Sequence, residues 1–254
     1  MSETSSEERQ RLKSVRRSFD VIEFLRTDGP ATLSEIATAF DMPMSTAYVY
    51  LSTLVETRYV TETDGQYECS LRFLQTGSQL RNELPLYQAA KRELDELREA
   101  VDEHAVLGTE QNEYMVQLYK SESPASIDDR APEGSHHPLH ATAIGKAILS
   151  TWSEEDVDEF VREQGLPAET PNTITDRETL VTELAGIRER GYSVNDAEHH
   201  QGVRAVATPI VPNEGTAVGA IAISGPSSRI DEDRIDEEIT PKLFHKKNII
   251  ELKL

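Results

Sequence analysis

The chain has 254 residues, with 46 Asp plus Glu against 26 Lys plus Arg and a formal charge of −20. At about 100 to 200 residues per domain, this length implies one large or two modest domains, and no stretch approaches the roughly 18 consecutive apolar residues of a membrane-spanning helix. A helical membrane protein is excluded, and the single cysteine, Cys69, excludes an intrachain disulfide or a zinc site built on several thiolates. The opening MSETSSEERQRLK offers no apolar export signal, so a cytoplasmic chain without a membrane partner is expected. Of the basic residues 18 are Arg and 8 are Lys, and the acids are spread along the whole chain. Such a surface self-repels in dilute buffer but is screened to about 3 Å at 1 M salt, which points to a halophilic cytoplasm.

Residues 9 to 19, RQRLKSVRRSF, invert the overall charge locally with Arg9, Arg11, Lys13, Arg16 and Arg17 and no acid. Residues 1–14 read as a flexible basic tail. Val15, Phe19, Ile22 and Leu25 then follow helical spacing until Asp28-Gly29-Pro30 stops a first helix. Thr32 and Glu35 make a T-x-x-E capping box for a short second helix with Leu33, Ile36, Ala37 and Phe40 on one face. After Asp41-Met42-Pro43, the stripe Ala47, Leu51, Leu54 and Val55 predicts a third helix that leaves Ser45, Thr46, Tyr48, Val49 and Ser52 pointing elsewhere. Tyr50 is expected to face the first helix. Tyr59 to Thr63 and Gln66 to Ser70 are strand-like runs joined by Asp64-Gly65, a pair suited to a type I′ hairpin turn. This order predicts a winged helix-turn-helix over residues 15–70, and DNA binding is favoured over a generic small bundle.

Residues 71–84 read as a linker helix, softly broken at Gly77 and Pro85, which is also compatible with a dimerisation seam. Leu86, Ala90, Leu94, Leu97 and Val101 continue at helical spacing, so the domain boundary is placed near 84 and the second domain spans 85–254. Beyond it come strands at Ala105 to Thr109 and Tyr114 to Lys120, a loop from Ser121 to His137, and a helix at Ala141 to Thr151. Helices follow from Ser153 to Gly165 and from Asp176 to Arg190, then strands at Tyr192 to Asn195, Val203 to Val211 and Ala217 to Ser224, and a last helix from about Ser228. Strands and helices mixed without regular βαβ repetition predict an α+β domain.

With those elements placed, the chain resembles the IclR family of transcription regulators from about Val15 to the last helix. Leu33 to Leu54 (LSEIATAFDMPMSTAYVYLSTL), Pro138 to Leu149 (PLHATAIGKAIL), Gly191 to Pro209 (GYSVNDAEHHQGVRAVATP) and Ala222 to Pro226 (AISGP) carry the resemblance. It implies a winged helix-turn-helix followed by a GAF-like effector domain, working as a homodimer or homotetramer on double-stranded DNA under a small-molecule effector. It also implies an effector site at Leu139, Ala141, Thr142, Ala143, Ile144, Asn195, Ala205, Ala222 and Ser224. Asn195 stands where many members have Asp, and Ala205 where many have Cys. One acid and one thiol are therefore absent from the expected wall, and a neutral or weakly acidic ligand is favoured, with Arg204 or a loop histidine left as a partner for a carboxylate.

Members often place basic residues where this chain has Met44 and Val49, and between Pro43 and Val55 the third helix has no charge. Base reading would fall to Ser45, Thr46, Tyr48 and Ser52, through hydroxyl hydrogen bonds and contact with thymine methyl groups, and phosphate contact to Arg16, Arg17, the basic residues before them and Arg58.

Enzyme readings find little support. Ala141-Thr-Ala-Ile-Gly-Lys146-Ala lacks the first glycine and the hydroxyl of a phosphate-binding loop, and no G-x-S-x-G elbow occurs. His136, His137, His140, His199, His200 and Glu198 contain zinc-type donors but match no closed metal motif. His140 is expected to fix its loop by a hydrogen bond, and Cys69 to be a small buried residue. No cofactor is expected. A His-based metal-dependent enzyme and an interaction module that has lost DNA binding remain as alternatives.

Overall fold

The computed structural model describes residues 12–124, 131–213 and 215–254, so Arg9 and Arg11 lie outside the described residues. The chain divides into two compact units, Met1–Gln79 and Leu80–Leu254.

The first unit runs α1 (Lys13–Asp28), β1 (Ala31–Thr32), α2 (Leu33–Ala39), α3 (Met44–Glu56), β2 (Val60–Thr63) and β3 (Gln66–Cys69). The capping box closes as an exchange: the Thr32 hydroxyl accepts the Glu35 N–H at 3.3 Å, and the Glu35 carboxylate accepts the Thr32 N–H at 2.7 Å. Asp64 and Gly65 both have positive φ, 52° and 78°, which lets Thr63 pair directly with Gln66. Val21, Leu25, Ala31, Ile36, Leu51, Leu54, Val60 and Tyr67 form the core of this unit.

Two expectations for this unit need correction. The buried face of α1 is Val21 and Leu25 with Ile22 and Phe24 half-buried, whereas Val15 and Phe19 are exposed. A helix with this many apolar residues offers more than one stripe, and packing chooses among them. The two-residue β1 was not anticipated. It exists only because β3 pairs with it, Ala31 opposite Tyr67, giving the sheet order β1-β3-β2.

Next along the chain come α4 (Arg72–Glu83) and α5 (Pro85–Val101). The second unit continues with β4 (His104–Gln111), β5 (Tyr114–Ser121), β6 (His136–Pro138), a 3-10 turn (Leu139–Ala141) and α6 (Ala143–Leu149). Then follow α7 (Glu154–Gln164), α8 (Arg177–Arg190), β7 (Ser193–Asp196), β8 (Val203–Ile210), β9 (Gly219–Pro226), α9 (Glu232–Arg234), a π-helical turn (Ile235–Ile239) and α10 (Thr240–Glu251). The strands form one antiparallel sheet, β6-β5-β4-β9-β8-β7. The edge strand β6 begins inside the end of the stretch expected to be loop, Ser121 to His137. Its three residues carry no period of their own and are ordered by Tyr114, Met115 and Val116 opposite them.

Strand alternation divides this sheet between two cores. Ala105, Leu107, Val206, Ile221 and Ile223 face α5 and α10, joined by Leu94, Leu97, Ile239 and Leu243. Val106, Ala207, Ala220 and Ala222 face α6, α7 and α8. The second face is mostly small, and Gly108 extends it: a Cβ there would lie 2.9 Å from Ile144 Cγ2. Small side chains let α6 lie directly on the strands, and all of its residues are buried. The helix expected from Ala141 begins later, because Thr142 is extended and caps it by accepting the Gly145 N–H at 3.0 Å. A register shift between Leu107 and Gly108 marks a bulge in β4 and β5. It turns both Leu118 and Tyr119 toward the α5 core, while Met115 and Gln117 keep the opposite face.

Candidate functional site

The outer surface of α3 is built by exclusion. Ala47, Leu51 and Leu54 are buried, so Met44, Ser45, Thr46, Tyr48, Val49, Ser52 and Thr53 remain exposed. Ser52 and Thr53 donate their hydroxyl protons to the Val49 carbonyl at 3.1 and 2.8 Å. Tyr50 lines a groove with Ser14, Val15 and Ser18 of α1. Arg16 is exposed, and Arg17 lays its guanidinium over the Phe40 ring at 5.5 Å. Arg58 is exposed at positive φ just before β2. Sequence reasoning missed Arg72, which stacks over Tyr59 at 5.0 Å and donates to the Thr57 carbonyl at 3.1 Å, tying the start of α4 to the hairpin.

In the second unit a cavity of about 80 Å³ opens between the sheet and the start of α6. Of the expected effector residues, Thr142, Ala143, Ile144, Asn195, Ala205, Ala222 and Ser224 line it. Leu139 and Ala141 lie outside its lining. Leu139 is buried in the core under α6, and Ala141 offers its carbonyl to the Asn195 side-chain amide. Asn195 is thus a clamp as well as a wall, since its Oδ1 also accepts the Glu198 N–H at 3.1 Å.

Val106, Met115, Gln117, Ala131, His137, His199, His200 and Val203 complete the lining; the histidines are among the donors singled out in the sequence, whereas Val106, Met115, Gln117 and Val203 were missed. The β4 and β5 contributors carry only a strand signal, and nothing in their spacing shows which face meets α6. His137 and His199 share a hydrogen bond of 2.9 Å between Nδ1 and Nε2, and the His199 and His200 rings lie 4.1 Å apart. His140 is buried outside the lining and donates from Nε2 to the Pro167 carbonyl at 3.0 Å. Burial holds its pKa below the usual histidine value. Cys69 is half-buried and its thiol is pushed up, again by burial. Among the described residues, no group of three or more His, Cys, Asp or Glu side chains is arranged to hold a metal ion, and no described helix is long and apolar enough to cross a membrane.

This pairing of a winged helix-turn-helix with a cavity-bearing α+β unit matches known proteins along most of the chain. Residues 14–64 match the IclR helix-turn-helix domain, and residues 79–246 match the bacterial transcriptional regulator IclR C-terminal domain. The chain belongs to the IclR family.

Among relatives of this IclR chain, the HTH-type transcriptional regulator BhcR of Paracoccus denitrificans is 32% identical over 227 residues, 88% of this chain and 81% of BhcR. A protein of Halobacterium salinarum named "Probable HTH-type transcriptional regulator ArcR" is 27% identical over 251 residues, covering 97% of this chain and 95% of its own. The crystal structure of the Thermotoga maritima IclR superposes with a TM-score of 0.83 at 30% identity, covering 95% of this chain and 98% of that one. The chain is a DNA-binding transcription regulator and not an enzyme.

Beside the cavity, the fully buried Lys146 of this IclR chain departs from the behaviour of a phosphate-binding lysine. Its Nζ donates to Glu198 Oε1 at 2.6 Å and to the Val194 carbonyl at 2.7 Å, with Glu183 at 3.5 Å. Burial raises the Glu198 pKa above the usual carboxylate value despite that lysine. Through Glu198 and Asn195, the ion pair fixes the β7–β8 connection against the 3-10 turn that leads into α6.

Proposed function

We propose that α3 enters the major groove of an operator, with Ser45, Thr46, Tyr48 and Ser52 toward base edges and Arg16, Arg17 and Arg58 toward phosphates. A small molecule held in the cavity beside α6 controls that binding. The observation that carries the effector assignment is convergence: Thr142, Ala143 and Ile144 meet Asn195, Ala205, Ala222 and Ser224, from three strands, around one cavity. Its described lining includes no Lys, Arg, Asp or Glu, while Gln117, Thr142, Asn195, Ser224 and three imidazoles supply polar atoms. Such a wall suits a neutral or weakly acidic small molecule.

The regulator works as a homodimer or homotetramer in a halophilic cytoplasm. Exposed Leu12, Val15 and Phe19 at α1, and Leu71, Leu74 and Leu80 at α4, favour self-association over a free monomer surface. A two-fold dimer presents two α3 helices to half-sites about one helical turn apart. An α3 without Lys or Arg flattens the dependence on salt, because each neutralised phosphate contributes about −0.9 to the slope of log K against log salt.

Gel-shift titrations with and without a candidate compound test the coupling. An effector must change DNA affinity by the same factor by which DNA changes effector affinity. Unchanged DNA affinity for each compound shown to bind would remove the regulatory reading of the cavity. On the DNA side, Arg16→Ala with Arg17→Ala is expected to weaken all duplexes by similar factors and to lower the salt slope by about 2. Ser45→Ala or Tyr48→Ala instead changes which duplexes are preferred. Equal losses on all sequences for the α3 variants would show that base reading lies elsewhere.

A further inference from the structure

The exposed side chains of α3 restrict which bases it can read. Guanine is read in the major groove by Arg or Lys, adenine by Asn or Gln, and cytosine by Asp or Glu. From Met44 to Val55 the helix contains none of these residue types, and Glu56 follows only at its C-terminal end. The bidentate code is therefore closed to this helix.

What it does expose is apolar. Met44 is 49% exposed, Tyr48 56% and Val49 61%. With Ala47, Leu51 and Leu54 turned into the core, Val49 stands near the middle of the opposite side, one turn after Ser45 and just before Ser52. Met44 and Tyr48, four residues apart, form the adjoining row. The hydroxyls of Ser52 and Thr53 are already committed as donors to the Val49 carbonyl, which leaves them only acceptor capacity toward a base. Among the major-groove edges, one group matches an apolar surface: the thymine C5-methyl.

We propose that this regulator recognises its half-site through thymine methyl groups packed on Val49, Met44 and the Tyr48 ring, so that the base pairs facing these three side chains are T·A pairs. The proposal rests on the assignment of α3 as the groove-reading helix and adds the base class that it selects. An exposed valine and methionine lose little by facing water in the free protein. Each gains on binding only where a methyl group meets it.

The test uses the full chain and duplexes selected from a random pool at molar potassium chloride. The selected half-site is remade with deoxyuridine at each thymidine in turn, which removes one methyl and alters no Watson–Crick pairing. We expect about a fourfold loss of affinity at each contacted position, the worth of one buried methyl-sized group. In Val49→Ala the same replacement at the Val49 position changes affinity less than twofold. Val49 is exposed, so the variant keeps its fold, and its thermal midpoint verifies this. Wild-type protein that binds the deoxyuridine duplexes undiminished at every position, or whose half-site contains no T·A pair, overturns the thymine proposal and leaves DNA binding intact. A selection that enriches no duplex overturns DNA binding by α3 itself, and the proposal with it, in favour of an interaction module.

Discussion

Gly145→Ala is expected to destabilise the C-terminal unit by on the order of 4 kcal/mol, the range reached when a side chain meets backbone that cannot yield. A Cβ at Gly145 would lie 2.1 Å from the Leu139 carbonyl oxygen and 2.5 Å from its Cα. Neither side can retreat. Leu139 is buried in the core, the Gly145 N–H is held by the Thr142 hydroxyl, and α6 is buried along its whole length. Gly186→Ala provides the contrast, because its Cβ would meet only the Arg190 side chain at 3.3 Å. That flexible tip can move, and a helix gains up to about 1 kcal/mol on replacing Gly by Ala. Urea unfolding of the two variants measures the difference. A loss below about 1 kcal/mol for Gly145→Ala would show that the turn from Leu139 to Thr142 adjusts freely and is not held by its contacts with Asn195 and α6.

Lys146→Met is the second large effect, about 3 to 5 kcal/mol, because it strands a buried carboxylate. Glu198 would lose its 2.6 Å ion pair and keep a 3.4 Å contact with the Asp196 N–H. Lys146→Met combined with Glu198→Leu is expected to recover most of the loss, since the cost lies in the unpaired charge and not in the missing pair. The pH dependence has a definite sign. The Glu198 pKa is already raised by burial in the native protein. A carboxylate raised on folding contributes stability below its unfolded pKa and loses it as pH rises through the folded one. Lys146→Met should therefore be closest to wild type in acid and fall further behind toward neutral pH. An equal deficit at pH 5 and pH 8 would show that Glu198 does not carry the penalty. DNA-free effector titrations on the same variant should also weaken, because Asn195 is positioned through Glu198.

The legible parts of this protein were those governed by near neighbours in sequence. Thr32 and Glu35 cap a helix because a three-residue spacing brings each within reach of the other's backbone. Asp64-Gly65 turns a hairpin because both residues tolerate positive φ. Ser153, Asp176 and Gly191 bound helices where caps were read. The buried face of α1, the edge strands β1 and β6, and the β4 and β5 wall of the cavity each depend on residues far away in the chain. None leaves a local signature. His137 and His199 were noticed as imidazoles, but their hydrogen bond joins positions 62 residues apart.

The amino-acid sequence alone determined the order of the longer helices and strands, the two-part architecture, the neutral surface of α3 and the family, because caps, turns, apolar periods and motif strings act over a few residues. Tertiary structure alone decided that Leu139 and Ala141 leave the cavity wall, that Lys146 is locked to Glu198, and that Arg17 rests on Phe40. Those outcomes depend on the close approach of α6 to a sheet face of alanines, and of α1 to α2. Only the packed chain brings such distant atoms within van der Waals and hydrogen-bond reach.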